Sequence, residues 1–302
     1  MLRHCLPVLL AGLLLAAGCS KQNSENEAPA SEQKILTGIS YGAHAQQQMD
    51  VYLPAGRSAQ TPLLIFLHGG GFVAGDKGDV ARVAALFTAK GYAVVNANYR
   101  LIDATGLDQQ PILHQPSAVK IADQLADIRA LVNKIATLSA GWQVSPDQWV
   151  LAGHSAGATL ALLYAHGEHN QDRRVKAGVN VAGAITFAYS DESEVALADP
   201  LLVEVLYRAT GVPATNANKL AYMAISPYWV SSRDLVTVPV MNIRPSQDTG
   251  HELYLSYTQL LTGNNTVNRY RVIEGAGHGL EQPGKLEEAV TAADEFLKEI
   301  VL

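Results

Sequence analysis

Cysteine is nearly absent from this 302-residue chain, and its two occurrences, Cys5 and Cys19, fall at the very start. No disulfide framework is available to the remaining residues, so the fold must rest on core packing whatever the redox compartment. Basic residues are the minority, 22 Lys and Arg against 28 Asp and Glu for a net charge of −6, which argues against a nucleic-acid partner. The apolar run from Cys5 to Ala17 is too short to span a bilayer stably. No internal repeat is visible. What is plentiful is apolar residues, 48% of the chain, enough for one α/β domain of ordinary size with a large core.

The first residues are organised differently from the rest. Arg3, the apolar run and Gly18-Cys19 have the layout of a secretory leader. Leu15-Ala16-Ala17-Gly18-Cys19 resembles the bacterial lipobox, with Ala16 where Leu is usual. The resemblance implies a signal peptide over 1–18, cleavage before Cys19, and acyl chains on that cysteine that hold the protein to a cell-envelope membrane, the outer membrane or the periplasmic face in a Gram-negative cell. Ordinary cleavage nearby, releasing a soluble secreted protein, and an uncleaved signal anchor are the alternatives. Loss of residues 1–19 removes Arg3 and no acid, leaving 21 basic against 28 acidic residues and a net charge of −7. Residues 19–34, largely SKQNSENEAPASEQK, are polar and lack aromatic and β-branched residues, which reads as a flexible tether.

From Ile35 onward strand and helix patterns alternate. Met49 to Leu53 alternates like a half-buried strand, whereas Pro62 to Leu67, Tyr92 to Asn96 and Trp149 to Ala152 are continuous apolar runs suited to strands covered on both faces. Further strands are expected at Ala177 to Val181, Val236 to Ile243 and Tyr270 to Ile273. Helical stripes run through Ile121, Leu125, Ile128, Val132 and Ile135, and through Leu286, Ala289, Ala293, Phe296 and Ile300. This alternation, opened by a hairpin-like antiparallel segment, predicts an α/β fold over 35–302: a mostly parallel sheet with helices on both faces. Residues 190–234 break the rhythm with Pro200, Pro213, Pro227 and two apolar helical pieces, and read as a cap over the site.

Gly153-His154-Ser155-Ala156-Gly157 follows a strand and opens the apolar helical stretch from Ala158, the strand–turn–helix context that G-x-S-x-G requires for an exposed serine nucleophile. His68-Gly69-Gly70-Gly71-Phe72 ends the Leu63 to Leu67 strand. Its unobstructed backbone N–H groups suit an oxyanion hole, with Gly70, Gly71 and Ala156 as donors. The spacing fits neither G-x-G-x-x-G nor a phosphate loop ending in G-K-[ST]. His68 reads as a residue that orients this loop. His278, on the loop after the Tyr270 strand, is the candidate base, and Asp248, after the Val236 to Ile243 strand, the candidate acid that orients it, with Glu252, Glu274 and Asp234 as fallbacks. The order Ser155, Asp248, His278 is that of the α/β-hydrolase fold rather than of the chymotrypsin or subtilisin types. Such a triad needs no metal or organic cofactor. The His166-Gly-Glu-His169 run lacks the facing geometry of H-E-x-x-H.

HGGGF with its following Gly75-Asp76-Lys77, the Asn98-Tyr99-Arg100-Leu101 segment, GHSAG and the late Asp and His resemble esterases of the hormone-sensitive-lipase-like and arylformamidase-like groups. Asp50-Val51-Tyr52-Leu53-Pro54 ahead of HGGG is especially similar to the bifunctional feruloyl and acetyl-xylan esterase-like branch. The resemblance implies hydrolysis of small-molecule short acyl or aryl esters, with formamides in one branch, and the same triad and oxyanion residues. The chain departs from the pattern twice: Ile102 to Gln115 lacks the A-P-E continuation, and the acid's loop reads RPSQDTGHE in place of H-G-x-x-D. Phe72, Phe187, Tyr189 and Tyr228 are candidates to line an acyl or aryl pocket. An amide hydrolase with the same triad and a non-catalytic binding protein on the same fold are the competing readings. Oligomeric state is not legible in the sequence.

Overall fold

The structure, a computed structural model, describes residues 32–233 and 238–300. The leader over 1–18, Cys19, most of the tether, Asp234 and the first two residues of the strand expected from Val236 lie outside the described residues.

In chain order the elements are β1 (Lys34–Ser40), β2 (Gln48–Leu53), β3 (Leu63–Leu67), α1 (Ala81–Ala89), β4 (Ala93–Ala97), α2 (Ile121–Trp142), β5 (Trp149–His154), α3 (Ala156–His166), β6 (Val175–Val181), α4 (Glu192–Ala196), α5 (Pro200–Thr210), α6 (Lys219–Ala224), α7 (Pro227–Arg233), β7 (Val240–Pro245), α8 (His251–Gly263), β8 (Asn268–Ile273) and α9 (Lys285–Ile300). Among the described residues, eight strands form one sheet in the order β1-β2-β4-β3-β5-β6-β7-β8. The β1–β2 and β2–β4 pairs are antiparallel, and every later pair is parallel. The mostly parallel α/β sheet expected from the sequence is the one observed.

The two-residue period of the strands divides the core. In β3, Leu63, Ile65 and Leu67 face one layer while Leu64 and Phe66 face the other; in β5, Trp149 and Leu151 part in the same way from Val150 and Ala152. The first layer packs under α2, α3 and α5, the second under α1 and α9. A smaller cluster joins Leu162 and Val240 to Tyr254, Tyr257 and Leu261 of α8. Burial on both faces explains why the inner strands read as unbroken apolar runs.

The differences from expectation lie at edges and in the insertion. Lys34 is the first residue of β1 rather than the end of the tether. Within the described residues, the strand expected from Val236 runs from Val240 to Pro245, directly after Pro239, which has no N–H to give a ladder. Among its described residues the insertion holds four short helices, not two, because Pro200 and Pro227, read as breaks, each sit at a helix start, where a missing N–H costs nothing.

Candidate active site

The parallel topology delivers the C-terminal ends of β3, β5, β7 and β8 to one edge of the sheet, and each candidate residue is on the segment following one of them. Ser155 leaves β5 at φ 52° and ψ −123°, a left-handed conformation costly for a residue with a Cβ. The turn is fixed by the Ser155 N–H donating to Val181 O at 2.8 Å and by the Ser155 carbonyl accepting from the Ala158 and Thr159 N–H groups at 3.0 and 3.1 Å. The flanking glycines are steric necessities. A Cβ on Gly157 would lie 2.3 Å from His68 O and 2.4 Å from Leu67 O, backbone atoms that cannot step aside.

The three side chains named from the sequence form a hydrogen-bonded row. Ser155 Oγ is 3.0 Å from His278 Nε2, and His278 Nδ1 is 3.0 and 3.1 Å from the two oxygens of Asp248. With Nδ1 as donor to the carboxylate, Nε2 is left as acceptor for the hydroxyl proton. The two loops are laced together: Ser246 N–H donates to Ile273 O, Gln247 N–H to Ala276 O, and Gly275 N–H to Ser246 Oγ, at 2.8 to 3.1 Å. Of the fallback acids, Glu252 lies in the first turn of α8 and Glu274 follows β8, both exposed.

The glycine-rich loop is held from below. His68 is buried, its ring stacked on Tyr99 at 4.4 Å, while Tyr99 Oη donates to His68 O at 2.9 Å and His68 Nδ1 donates to Gly69 O at 2.7 Å. Burial pushes its imidazole below the ordinary titration range, so it stays neutral. Gly70, Gly71 and Phe72 all carry positive φ. Phe72 tolerates it because its carbonyl accepts from the Ile102 N–H and from the buried Gln124 Nε2, both at 3.0 Å. A cavity of about 370 Å³ opens beside Ser155, lined by Gly71 and Ala156 among others. The space beside the Gly70 Cα is filled by Ala74, whose oxygen would be 2.2 Å from a Cβ there.

The four candidate pocket aromatics separate. Phe72 and Phe187 line this cavity and meet edge to face, 6.0 Å between centroids. Tyr189 instead donates to Thr215 O at 2.6 Å and packs on Tyr222 within the insertion, whereas Tyr228 packs against Trp229 and against Tyr257 of α8, so neither lines the cavity. From the insertion, Leu202 reaches the cavity wall.

Several residues of the site escaped the sequence reading. Arg244 lines the cavity, its Nη1 3.2 Å from Tyr254 Oη and 3.6 Å from Asp248 Oδ2, and its Nη2 donates to Thr249 O. Tyr254 is buried, and that burial pushes its phenol up to about 12, so it stays a neutral hydroxyl. His154 Nε2 donates to His278 O at 2.8 Å, fixing the backbone of the histidine loop. Only the x of G-x-S-x-G and the departure at RPSQD marked these places in the sequence.

The sheet order, the strained serine turn and the late acid–histidine pair are those of the α/β-hydrolase fold. The BD-FAE family model matches residues 49–193, just under half of the chain. Kynurenine formamidase of Danio rerio is 28% identical over 157 residues, 52% of this chain and 47% of its own length. The chain thus spans about half the length of that relative. Among solved structures, a truncated carbohydrate esterase from gut microbiota superposes with a TM-score of 0.68 at 17% identity, covering 90% of this chain and 99% of the other. An inhibited esterase B from Lactobacillus rhamnosis superposes with a TM-score of 0.66 at 21% identity, covering 91% and 90%.

Proposed function

We propose that the protein is a carboxylesterase that works through an acyl-enzyme on Ser155, with His278 as general base and then general acid and Asp248 as its orienting partner. The observation that carries this is the unbroken row from Ser155 Oγ through His278 to Asp248, with links of 3.0 Å, at the mouth of a largely apolar cavity. As the hydroxyl attacks the ester carbonyl, Nε2 takes its proton. The proton then passes to the departing alcohol, and the carboxylate stabilises the imidazolium in between. The backbone N–H groups of Ala156 and Gly71, with Gly70 as a third candidate, receive the negative oxygen, a contribution of about 3 kcal/mol per donor. Water repeats the sequence to free the acid.

A second reading, hydrolysis of an N-formyl or other amide, is favoured by the match to kynurenine formamidase, since the same triad serves both and only contacts to the leaving group differ. We further propose that residues 35–302 form the catalytic domain with 190–234 as its cap, and that a lipidated Cys19 holds it to the bacterial envelope after loss of 1–18. Mass spectrometry of the mature N-terminus tests the anchor, and a free or absent Cys19 there would exclude it.

The test of catalysis is Ser155→Ala against a panel of p-nitrophenyl esters of graded length with feruloyl, acetyl-sugar and N-formyl substrates. We expect kcat to fall at least about 10⁴-fold with the melting curve preserved, and fluorophosphonate labelling to disappear. Retained turnover in that variant would refute the nucleophile. A formamide turned over faster than every ester would select the second reading.

A further inference from the structure

A second cavity, of about 190 Å³, lies on the opposite side of the sheet, between α1 and α9, and it shares no lining residue with the cavity beside Ser155. The two nevertheless meet across two chain segments. His154 lines one and Ser155 the other; Gly279 lines one and His278 the other. We propose that this second cavity is a binding site for one small uncharged apolar molecule, aromatic or aliphatic, of about six to eight non-hydrogen atoms, and that its occupancy is coupled to the position of His278. The coupling rests on the triad reading above; the binding does not.

The walls determine the ligand's chemistry. Phe66 from the sheet, Val83 from α1 and Ala289 from α9 are buried apolar residues, and their packed faces suit an apolar solute of about benzene's size. The charged residues of the lining are already matched: Asp79 Oδ2 accepts from the Asp76 N–H at 2.9 Å, and Arg82 is paired with Glu287. His154 adds no charge, because burial pushes its imidazole below the ordinary range. An ionic ligand would find no unmatched partner, whereas an apolar one exchanges water for the packed faces of two helices.

The coupling runs through two contacts. His154 Nε2 donates to His278 O at 2.8 Å, so displacement of the His154 ring moves the backbone of residue 278. Leu280, two residues on, is held at φ 58° with its side chain buried in this cavity wall. A leucine in that conformation persists only where packing holds it. A ligand that fills the space beside Leu280 presses on the same short turn that presents His278 Nε2 to Ser155 Oγ at 3.0 Å. An ångström of displacement there is enough to change the rate of proton transfer.

The experiment is thermal unfolding of the full chain in rising benzene, with initial rates of p-nitrophenyl acetate hydrolysis measured in parallel. A saturable rise in Tm of about 2–4 °C is expected, together with a saturable change of at least about two-fold in kcat. Ser155→Ala should keep the rise in Tm, which separates failure of the site from failure of the esterase reading. Ala289→Leu, which fills the cavity from α9, should abolish both benzene effects and shift basal kcat in the direction in which benzene shifts that of the parent. Val83→Phe fills it from α1 and serves should the first variant not fold. No saturable rise in Tm, or one that survives filling, overturns the site. A rise that disappears on filling but never altered kcat overturns the coupling, as does purely competitive inhibition.

Discussion

Arg244 Nη1 lies 3.6 Å from Asp248 Oδ2, the oxygen that also lies 3.0 Å from His278 Nδ1. Asp248 is thus met by both an imidazole and a guanidinium, and the guanidinium is itself fixed, stacked 4.6 Å over the Tyr254 ring and bonded to Tyr254 Oη. A side chain held at both ends there fixes the carboxylate, and through it the imidazole that faces Ser155, so a small slip of either is felt at the reacting atoms. Arg244→Gln should lower kcat by about ten-fold or more while leaving KM within about two-fold, and Arg244→Lys should restore part of kcat. A kcat within about two-fold of the parent would show that Arg244 does not position the carboxylate.

Gly157 is the tightest steric point of the serine turn. A methyl group placed there meets the carbonyl oxygens of His68 and Leu67, both anchored in the strand and loop that also form the glycine-rich segment. Relief requires β3 and α3 to separate. Gly157→Ala should destabilise the fold by about 2–4 kcal/mol and reduce kcat even at temperatures where the protein stays folded, since Ala156 N–H and Ser155 Oγ both move. Circular dichroism melts and rates at 15 °C check the two halves. A melt within a degree of the parent would mean the turn has slack that the geometry denies.

These two sites mark how far the sequence could be read. The serine turn was legible because its constraint is local: five residues, two of them without side chains, between an apolar run and an apolar helix. The same holds for Gly70 and Gly71 after β3, and for His278 after β8. Asp248 was legible by position along the chain although its loop departs from the familiar pattern. Arg244 was not, because its partner Tyr254 belongs to a later helix and only packing of α8 on β7 unites them. The contact of His154 with His278 O spans 124 residues, and no spacing rule reaches that distance. Tyr189 and Tyr228 misled because an aromatic near a site in sequence is free to turn elsewhere, Tyr189 toward Tyr222 in the insertion and Tyr228 toward Tyr257 of α8. The prolines of the insertion misled because a proline both stops one helix and starts another, and the choice between the two is made by the residues C-terminal to it.

The segment lacking the A-P-E continuation is held by a buried ion pair. Arg208, with a fully buried side chain, reaches Glu204 at 2.8 Å and donates to the carbonyls of Asp103, Thr105 and Leu113. Burial alone would raise the Glu204 carboxyl, but hydrogen bonds from Arg208, His114 and the Gln115 N–H outweigh it and hold the group below its ordinary range. Its folded-state value is thus lower than in the unfolded chain. The stability it contributes is complete above the unfolded value of 4.5 and is lost as pH falls through the lower folded one. Glu204→Gln should therefore destabilise at pH 6, with the gap to the parent narrowing toward pH 3. Arg208→Met leaves the carboxylate buried without its cation and should cost about 3–5 kcal/mol, with residues 103–115 becoming sensitive to limited proteolysis. A gap in Tm that stays constant with pH would disconnect Glu204 from acid unfolding.

On the esterase reading proposed above, the wall formed by Phe72 and Phe187 would set the depth available to an acyl chain. Phe72 is pinned at both ends, its carbonyl held by Gln124 and Ile102 and its ring against Phe187. Phe187 is the freer of the two: it is half-buried, its N–H bonded to Ser226 Oγ at 2.8 Å, and it sits just before the insertion that supplies Leu202 to the same wall. Truncating it enlarges the cavity without touching the Ser155 row. Each methylene that gains a buried position is worth about 0.8 kcal/mol, close to four-fold in kcat/KM. Phe187→Ala should therefore raise the ratio of octanoate to acetate ester turnover by about ten-fold or more, chiefly by lowering KM for the longer chain. The acetate kcat should change little, because the short acyl group does not reach the ring. An unchanged ratio would place the acyl chain elsewhere and assign this wall to the leaving alcohol, which the same variant would report as a changed preference among acetate esters of bulky alcohols.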